Sequence, residues 1–199
     1  MELFINVICV IFYSYLLGCF CSAYYLVKIY NNLDIRNISS GTVGARNAGR
    51  ILGKKGFIIT FIGDFLKTVL ALGVTIYFFR SDANFSILFI LSSIAVICGH
   101  LFPVQLKLKG GKGVVVFTAI IFVINFWVLL ISLSVLFLLM LITHNQKLSI
   151  ATSVLTTIPS SLILINHYPL FLDPITILTI FIAIILLIMS HLKKAHANL

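Results

Sequence analysis

The stretch GVVVFTAIIFVINFWVLLISLSVLFLLMLIT, Gly113 to Thr143, runs for 31 residues without a charge. As one helix it would be about 46 Å long at ~1.5 Å per residue. A bilayer's hydrocarbon core is only ~30 Å thick. Either one long helix tilts steeply, or two short helices turn near Asn125–Trp127. Charge placement chooses between them, because Lys and Arg collect in cytoplasmic loops. With two helices here, the chain crosses seven times and starts outside. Lys28, Arg36, Arg46, Arg50, Lys54, Lys55, Lys107, Lys109, Lys112, Lys147, Lys193 and Lys194 then all lie inside, and only Arg80 lies outside, beside Asp82. With one helix, Lys147, Lys193 and Lys194 move outside. The expectation is an all-α polytopic membrane protein of about seven transmembrane helices, N-terminus outside and C-terminus cytoplasmic.

The rest of the chain agrees. Other apolar runs cover Leu3 to Val27, Phe57 to Phe79, Phe85 to Phe102, Ile150 to Ile165 and Pro174 to Ser190. The sequence is 61% hydrophobic and only 10% charged. Soluble domains carry about 25% charged residues, so lipid must solvate most side chains. The N-terminus opens Met-Glu without a basic region or a small-residue cleavage site, which reads as a retained first helix. Nothing rich in Pro, Ser or charge divides the chain, so a single domain over 1–199 is expected. Cys9, Cys19, Cys21 and Cys98 show neither a CxxC pair nor metal-ligand spacing and read as packing thiols. The net charge is +9. Without a long basic stripe or aromatic platform it points away from nucleic acid and towards membrane topology or an anionic substrate.

Two polar segments carry the chemistry, and both fall on the inner side. The first is DIRNISSGTVGARNAGR, Asp34 to Arg50. It packs Ser, Gly, Thr and Asn among Arg36, Arg46 and Arg50. Glycines let a backbone approach a ligand, and successive N–H groups form anion nests. Arginines add planar forks matched to phosphate. The second, CGHLFPVQLKLKGGKG, Cys98 to Gly113, feeds straight into an apolar helix. A glycine loop entering a helix N-terminus is a natural phosphate site, and Lys109 and Lys112 add charge. The GxxxxGK[ST] spacing of a P-loop is absent, and a flexible basic turn remains the alternative. His100 reads as a structural hydrogen-bonder or as a base. Asp64 and Lys67, at i and i+3, share a helix face roughly 10–15 Å below its start at ~1.5 Å per residue. Intramembrane charges mark either function or a structural clamp.

These segments resemble the PlsY family, bacterial membrane acyltransferases that acylate glycerol 3-phosphate from acyl-phosphate. The family's first loop follows D-x-R-x-x-G-S-G-N-x-G-A-T-N-x-x-R. This chain keeps Asp34, Arg36, Ser40, Gly41, Gly44, Ala45, Asn47 and Arg50, with Ser39, Thr42 and Arg46 in place of Gly, Asn and Thr. The second loop matches at Gly99, His100 and Lys109 to Val114, with Leu108 for Phe. Asp64 and Lys67 fit a D-x-x-K-G element, Thr68 replacing Gly. A third motif, H-x-x-N, matches at His191, with Lys194 where Asn is expected.

The resemblance implies seven helices, an external N-terminus and a multi-pass place in the bacterial inner membrane. It implies no cofactor and no metal, and an upstream enzyme that forms acyl-phosphate. The implied product is lysophosphatidic acid. Ser40, Arg50, Lys112 and His191 would be catalytic. Ser40, Arg50 and His191 would hold glycerol 3-phosphate. Gly41, Thr42, Arg46 and the loop Lys109, Gly110, Gly111, Lys112 and Gly113 would hold acyl-phosphate, its tail among membrane lipids in a groove between helices. Asp34, Arg36, Gly44, Asn47, His100 and Lys194 would complete the binding set, with Asp64 and Lys67 in support. A transporter is the rival class, but it needs polar groups along a midplane path, and here they crowd one face. A silent member that binds lipid phosphates is the other alternative.

Overall fold

The computed structural model describes residues 1–164. Helix α1 (Glu2–Cys19) breaks at Phe20 and continues as α2 (Ser22–Asn31). A 3-10 turn at Ile35–Asn37 leads to the long α3 (Ala45–Phe79), then α4 (Phe85–Leu101). A second 3-10 turn at Val104–Leu106 precedes α5 (Val114–Ile124), α6 (Phe126–Thr143), α7 (Gln146–Leu155) and α8 (Thr157–Leu164). No strand occurs among the described residues. Four helical stretches, Glu2–Asn31, Ala45–Phe79, Phe85–Leu106 and Phe126–Thr143, are long and apolar enough to cross a membrane. The architecture is therefore a multi-pass helical bundle. The apolar run from 174 to 190 and the C-terminal tail lie outside the described residues.

The uncharged run divides at Asn125, within the turn region expected from its length. Asn125 adopts an extended conformation (φ −158°, ψ 110°), and its side-chain oxygen accepts from the amides of Trp127 (2.9 Å) and Val128 (3.2 Å). Those are the orphan donors that an N-cap satisfies. The two halves then fold towards each other, because Phe117 and Ile121 of α5 line the same cavity as Leu129, Leu133 and Leu136 of α6. At 11 residues, α5 reaches only ~16 Å, shorter than a bilayer's hydrocarbon core. It fills the bundle centre instead: Val116, Phe117, Ile120 and Ile121 are buried against Leu72 of α3 and Phe89, Val96 and Ile97 of α4. A similar break separates α7 from α8. Pro159 lacks the amide that would bond back across Thr156.

Polar ties join α1, α3 and α4 within the apolar layer. Thr75 donates to Ser92 (2.8 Å), Ser92 and Ser14 share a hydrogen bond of 2.8 Å, and Tyr13 and Thr75 share one of 2.5 Å. Bonds of this kind contribute about 0.6 kcal/mol each in a membrane. Close backbone approach contributes more. Gly18 on α1 and Gly99 on α4 face each other: a Cβ on Gly18 would stand 2.3 Å from the Val96 carbonyl oxygen, and one on Gly99 2.3 Å from that of Tyr15. Small residues permit such crossings in lipid. Gly99→Ala must therefore push the two helices apart, and it is expected to destabilise the detergent-solubilised protein by about 1–3 kcal/mol. Thermal unfolding followed by circular dichroism measures the shift; an unchanged midpoint would mean the contact is slack.

Candidate active site

Both glycine-containing loops are built on one small core beneath them. Cys21, Ala23 and Val27 of α2, Ile35 and Val43 of the first loop, Ala48 of α3 and Leu106 of the second loop are buried together. Sequence alone reads Asp34 to Arg50 as a polar segment between apolar runs. The structure instead begins α3 at Ala45 and interrupts it at Gly53, whose φ of +69° is non-helical. Arg46 and Arg50 thus stand one turn apart on a short helix rather than on a loop. Spacing of i, i+4 puts both guanidiniums on one face. Both are exposed, and neither forms an ion pair among the described residues.

Asn47 organises the first loop. It is fully buried, and its side-chain nitrogen donates towards the carbonyls of Ile35 (3.3 Å), Ile38 (3.2 Å) and Thr42 (3.1 Å). Its oxygen accepts from the Ser40 amide at 3.3 Å. This residue shapes the binding loop from below. The loop's exposed rim then carries the Ser40 hydroxyl, 2.9 Å from that of the half-buried Thr42. Gly41 turns at φ +61°, and Gly44 caps the start of α3.

Asp34 and Arg36 face inward as a clamp. Arg36 Nε donates to Asp34 Oδ1 (2.9 Å), Nη2 to Oδ2 (2.5 Å) and Nη1 to the Leu106 carbonyl of the second loop (2.8 Å). The guanidinium also lies over the Tyr24 ring, 5.5 Å from its centroid. The Arg36 hydrogen bond holds the Asp34 carboxyl below the usual carboxylate range. A lowered folded value means that the pair's contribution is present above that range and is lost only as pH falls through the lowered value.

The second loop meets the first at Gly111. Its amide donates to the His100 carbonyl (3.0 Å), and the Gly110 amide to that of Leu101 (3.2 Å). A Cβ on Gly111 would lie 2.5 Å from the Val43 carbonyl oxygen and 2.0 Å from His100 Nε2. Lys109 is exposed, Lys112 half-buried, and Gly113 caps α5 at φ +81°. His100 is buried, its Nδ1 3.0 Å from Lys67 Nζ. Asp64 and Lys67 form the ion pair expected from their spacing, at 3.0 Å. Ser22 donates to Asp64 (3.2 Å), and Lys67 donates to the carbonyls of Gly18 (3.0 Å) and Phe20 (2.5 Å) at the break in α1. Gln105 donates to the neighbouring Cys19 carbonyl. Sequence reasoning did not find Ser22, Tyr24 or Gln105, since each acts only through a partner distant in the chain. His191 and Lys194 lie outside the described residues.

Ser39 stands where the resembling family places glycine, and its φ is +54°. A residue with a Cβ pays about 1–2 kcal/mol for the left-handed region. Glycine relieves that strain but gains unfolded-state entropy of about 0.4–1 kcal/mol. Ser39→Gly should therefore stabilise the protein by about 0.5–1 kcal/mol, read as a raised unfolding midpoint. A lowered midpoint would show that the serine hydroxyl outweighs the strain.

Comparison with known proteins gives a consistent picture. A profile of the glycerol-3-phosphate acyltransferase family matches residues 8–198. Glycerol-3-phosphate acyltransferase 1 of Desulfitobacterium hafniense (strain Y51) is 50% identical over 101 residues, 51% of this chain and about half the length (48%) of that protein. The protein of the same name from Bacillus cereus (strain ATCC 10987 / NRS 248) is 36% identical over 166 residues, covering 76% of this chain and 89% of that protein. Among solved structures, the glycerol 3-phosphate form of PlsY (YgiH), an integral membrane glycerol 3-phosphate acyltransferase, matches with a TM-score of 0.82. It is 26% identical, over 96% of this chain and 90% of that one. The lysophosphatidic acid form of PlsY matches with a TM-score of 0.79 at 25% identity. With nearly its whole length matched, this chain belongs to the glycerol-3-phosphate acyltransferase family.

Proposed function

We propose that this chain transfers an acyl group from acyl-phosphate to a hydroxyl of glycerol 3-phosphate, giving lysophosphatidic acid and inorganic phosphate. The observation that carries the proposal is the junction of the two glycine loops, strapped together by Arg36 on Leu106 and touching at Val43 and Gly111. Two phosphorylated substrates need two anion sites side by side, and each loop ends at a helix N-terminus with cations beside it. The substrate oxygen attacks the acyl carbon, the acyl carbon–phosphate oxygen bond breaks, and the hydroxyl proton passes to a substrate phosphate. Phosphate departs with its charge held by cations, so no strong acid is required. Positioning supplies much of the acceleration.

In this reading Ser40 and Arg50 hold glycerol 3-phosphate. Gly41, Thr42, Arg46 and the loop from Lys109 to Gly113 hold acyl-phosphate. His191 and Lys194 are assigned to the glycerol substrate on their motif alone. An apolar groove of about 530 Å³ between α1 and α3, lined by Leu17, Phe20, Gly63, Leu66 and Leu70, offers the acyl tail a place. The proposal extends to one domain of seven membrane helices in the bacterial inner membrane, with its N-terminus outside. An enzyme that forms acyl-phosphate would act upstream. The reaction so written calls on neither metal nor cofactor.

Two experiments test this. Purified protein supplied with radiolabelled glycerol 3-phosphate and palmitoyl phosphate should form lysophosphatidic acid. Ser40→Ala, Arg50→Ala and Lys112→Ala should each lower turnover at least tenfold, about 1.4 kcal/mol of barrier. Wild-type protein without transfer would instead support a silent phosphate-binding member, and a normal Lys112→Ala rate would remove the second loop from the reaction. For topology, single cysteines at Ala83 and Lys54 in a Cys-free background should report opposite faces. An impermeant maleimide should label position 83 in intact cells and spare position 54; the reverse pattern would invert the proposed orientation.

A further inference from the structure

His100 lies beneath the point where the loops touch, and its orientation is dictated from the membrane side. His100 Nδ1 lies 3.0 Å from Lys67 Nζ and 3.9 Å from Asp64 Oδ1, so this edge of the ring is held against the buried charge pair. Lys67 is itself held, by Asp64 on its own helix and by the Gly18 and Phe20 carbonyls of α1. The imidazole is thereby held in one orientation. Its Nε2 edge and the Val43 carbonyl oxygen both stand within 2.5 Å of where a Gly111 Cβ would be. Ring, first loop and second loop thus meet at a single Cα, and Gly111 is further tied to the His100 carbonyl.

We propose that Lys67 and His100 are positioning residues that set the register between the two loops, and with it the alignment of the two substrates; this rests on the acyl-transfer reading above. Each loop carries its own cations, Arg46 and Arg50 on one and Lys109 and Lys112 on the other. Arg46, Arg50 and Lys109 are exposed, whereas the imidazole is buried beneath them. Loosening the ring therefore leaves each phosphate its own site but lets the reacting atoms drift apart. Alignment at the level of an ångström governs the rate of such a transfer. The signature is a fall in kcat with little change in either KM, because uniform binding survives and only transition-state geometry is lost.

The test uses full-length protein purified in detergent, with palmitoyl phosphate and glycerol 3-phosphate varied in turn. His100→Gln removes the ring and its Lys67 contact. His100→Asn keeps a polar group towards Lys67 but removes the ring edge that meets Gly111. Both should lower kcat at least tenfold per folded enzyme while each KM stays within threefold. Should His100→Gln fail to fold, His100→Asn carries the same readout. A purely structural cluster would lower yield and melting temperature and leave kcat of the surviving enzyme near wild type; that result overturns the proposal. A tenfold rise in one KM with kcat unchanged also overturns it, by making the ring a substrate contact. If the wild type transfers no acyl group, the activity reading fails and takes this inference with it. Active wild type with unaltered variants refutes the positioning role alone.

Discussion

A single buried ammonium ties the loop-bearing half of the bundle together. Lys67 Nζ has four polar neighbours at 3.0 Å or closer: Asp64, His100 and the carbonyls of Gly18 and Phe20. In lipid, a helix can break only where its freed carbonyls find partners. The break between α1 and α2 exists because Lys67 and Gln105 satisfy the three carbonyls from Gly18 to Phe20. That break redirects α2 so that Cys21, Ala23 and Val27 floor the first loop. Truncating Lys67 would strip the Gly18 and Phe20 carbonyls and leave Asp64 without its counter-ion, at a cost on the order of 3–5 kcal/mol.

Above that hub the loops are held in conformations they would not choose freely. Ser39, Lys107 and Leu108 all occupy the left-handed region without being glycine. Such residues persist only where their surroundings over-determine them. Asn47 does this for the first loop, with four hydrogen bonds from one side chain. The Arg36 fork and the Gly110 and Gly111 amides do it for the second. The bundle's rigidity is thereby transmitted to the surface where the two loops meet.

Much of this was legible in the sequence, for identifiable reasons. Hydrophobicity marked the helices because lipid demands uninterrupted apolar runs. Spacing gave the Asp64–Lys67 pair because i, i+3 neighbours touch on any helix. The length of the Gly113 to Thr143 run exposed the need for a break, and Asn125, its polar residue with helix-capping chemistry, is where the break falls. Other features were hidden. Asp34, Arg36 and Asn47 read as ligand groups, since nothing local shows that their side chains turn inward. His100 stayed ambiguous because its partners come from α3. The helical turn from Ala45 to Leu52 was concealed by glycines and polar residues that elsewhere mark loops.

The Asn125 and Gly53 interruptions together have a mechanical meaning. A helix that crosses a membrane answers changes in bilayer thickness by tilting. Helix α5 is only ~16 Å long and ends at the Asn125 break, so tilt of α6 is not passed rigidly to the second loop. The first loop leads into α3, which does cross, but Gly53 separates the turn bearing Arg46 and Arg50 from the spanning part. Tilt of that spanning part is absorbed at a glycine before it reaches the arginines. The two loops are thus referenced to each other, through the Arg36 bond to Leu106, rather than to the tilt of a single long helix.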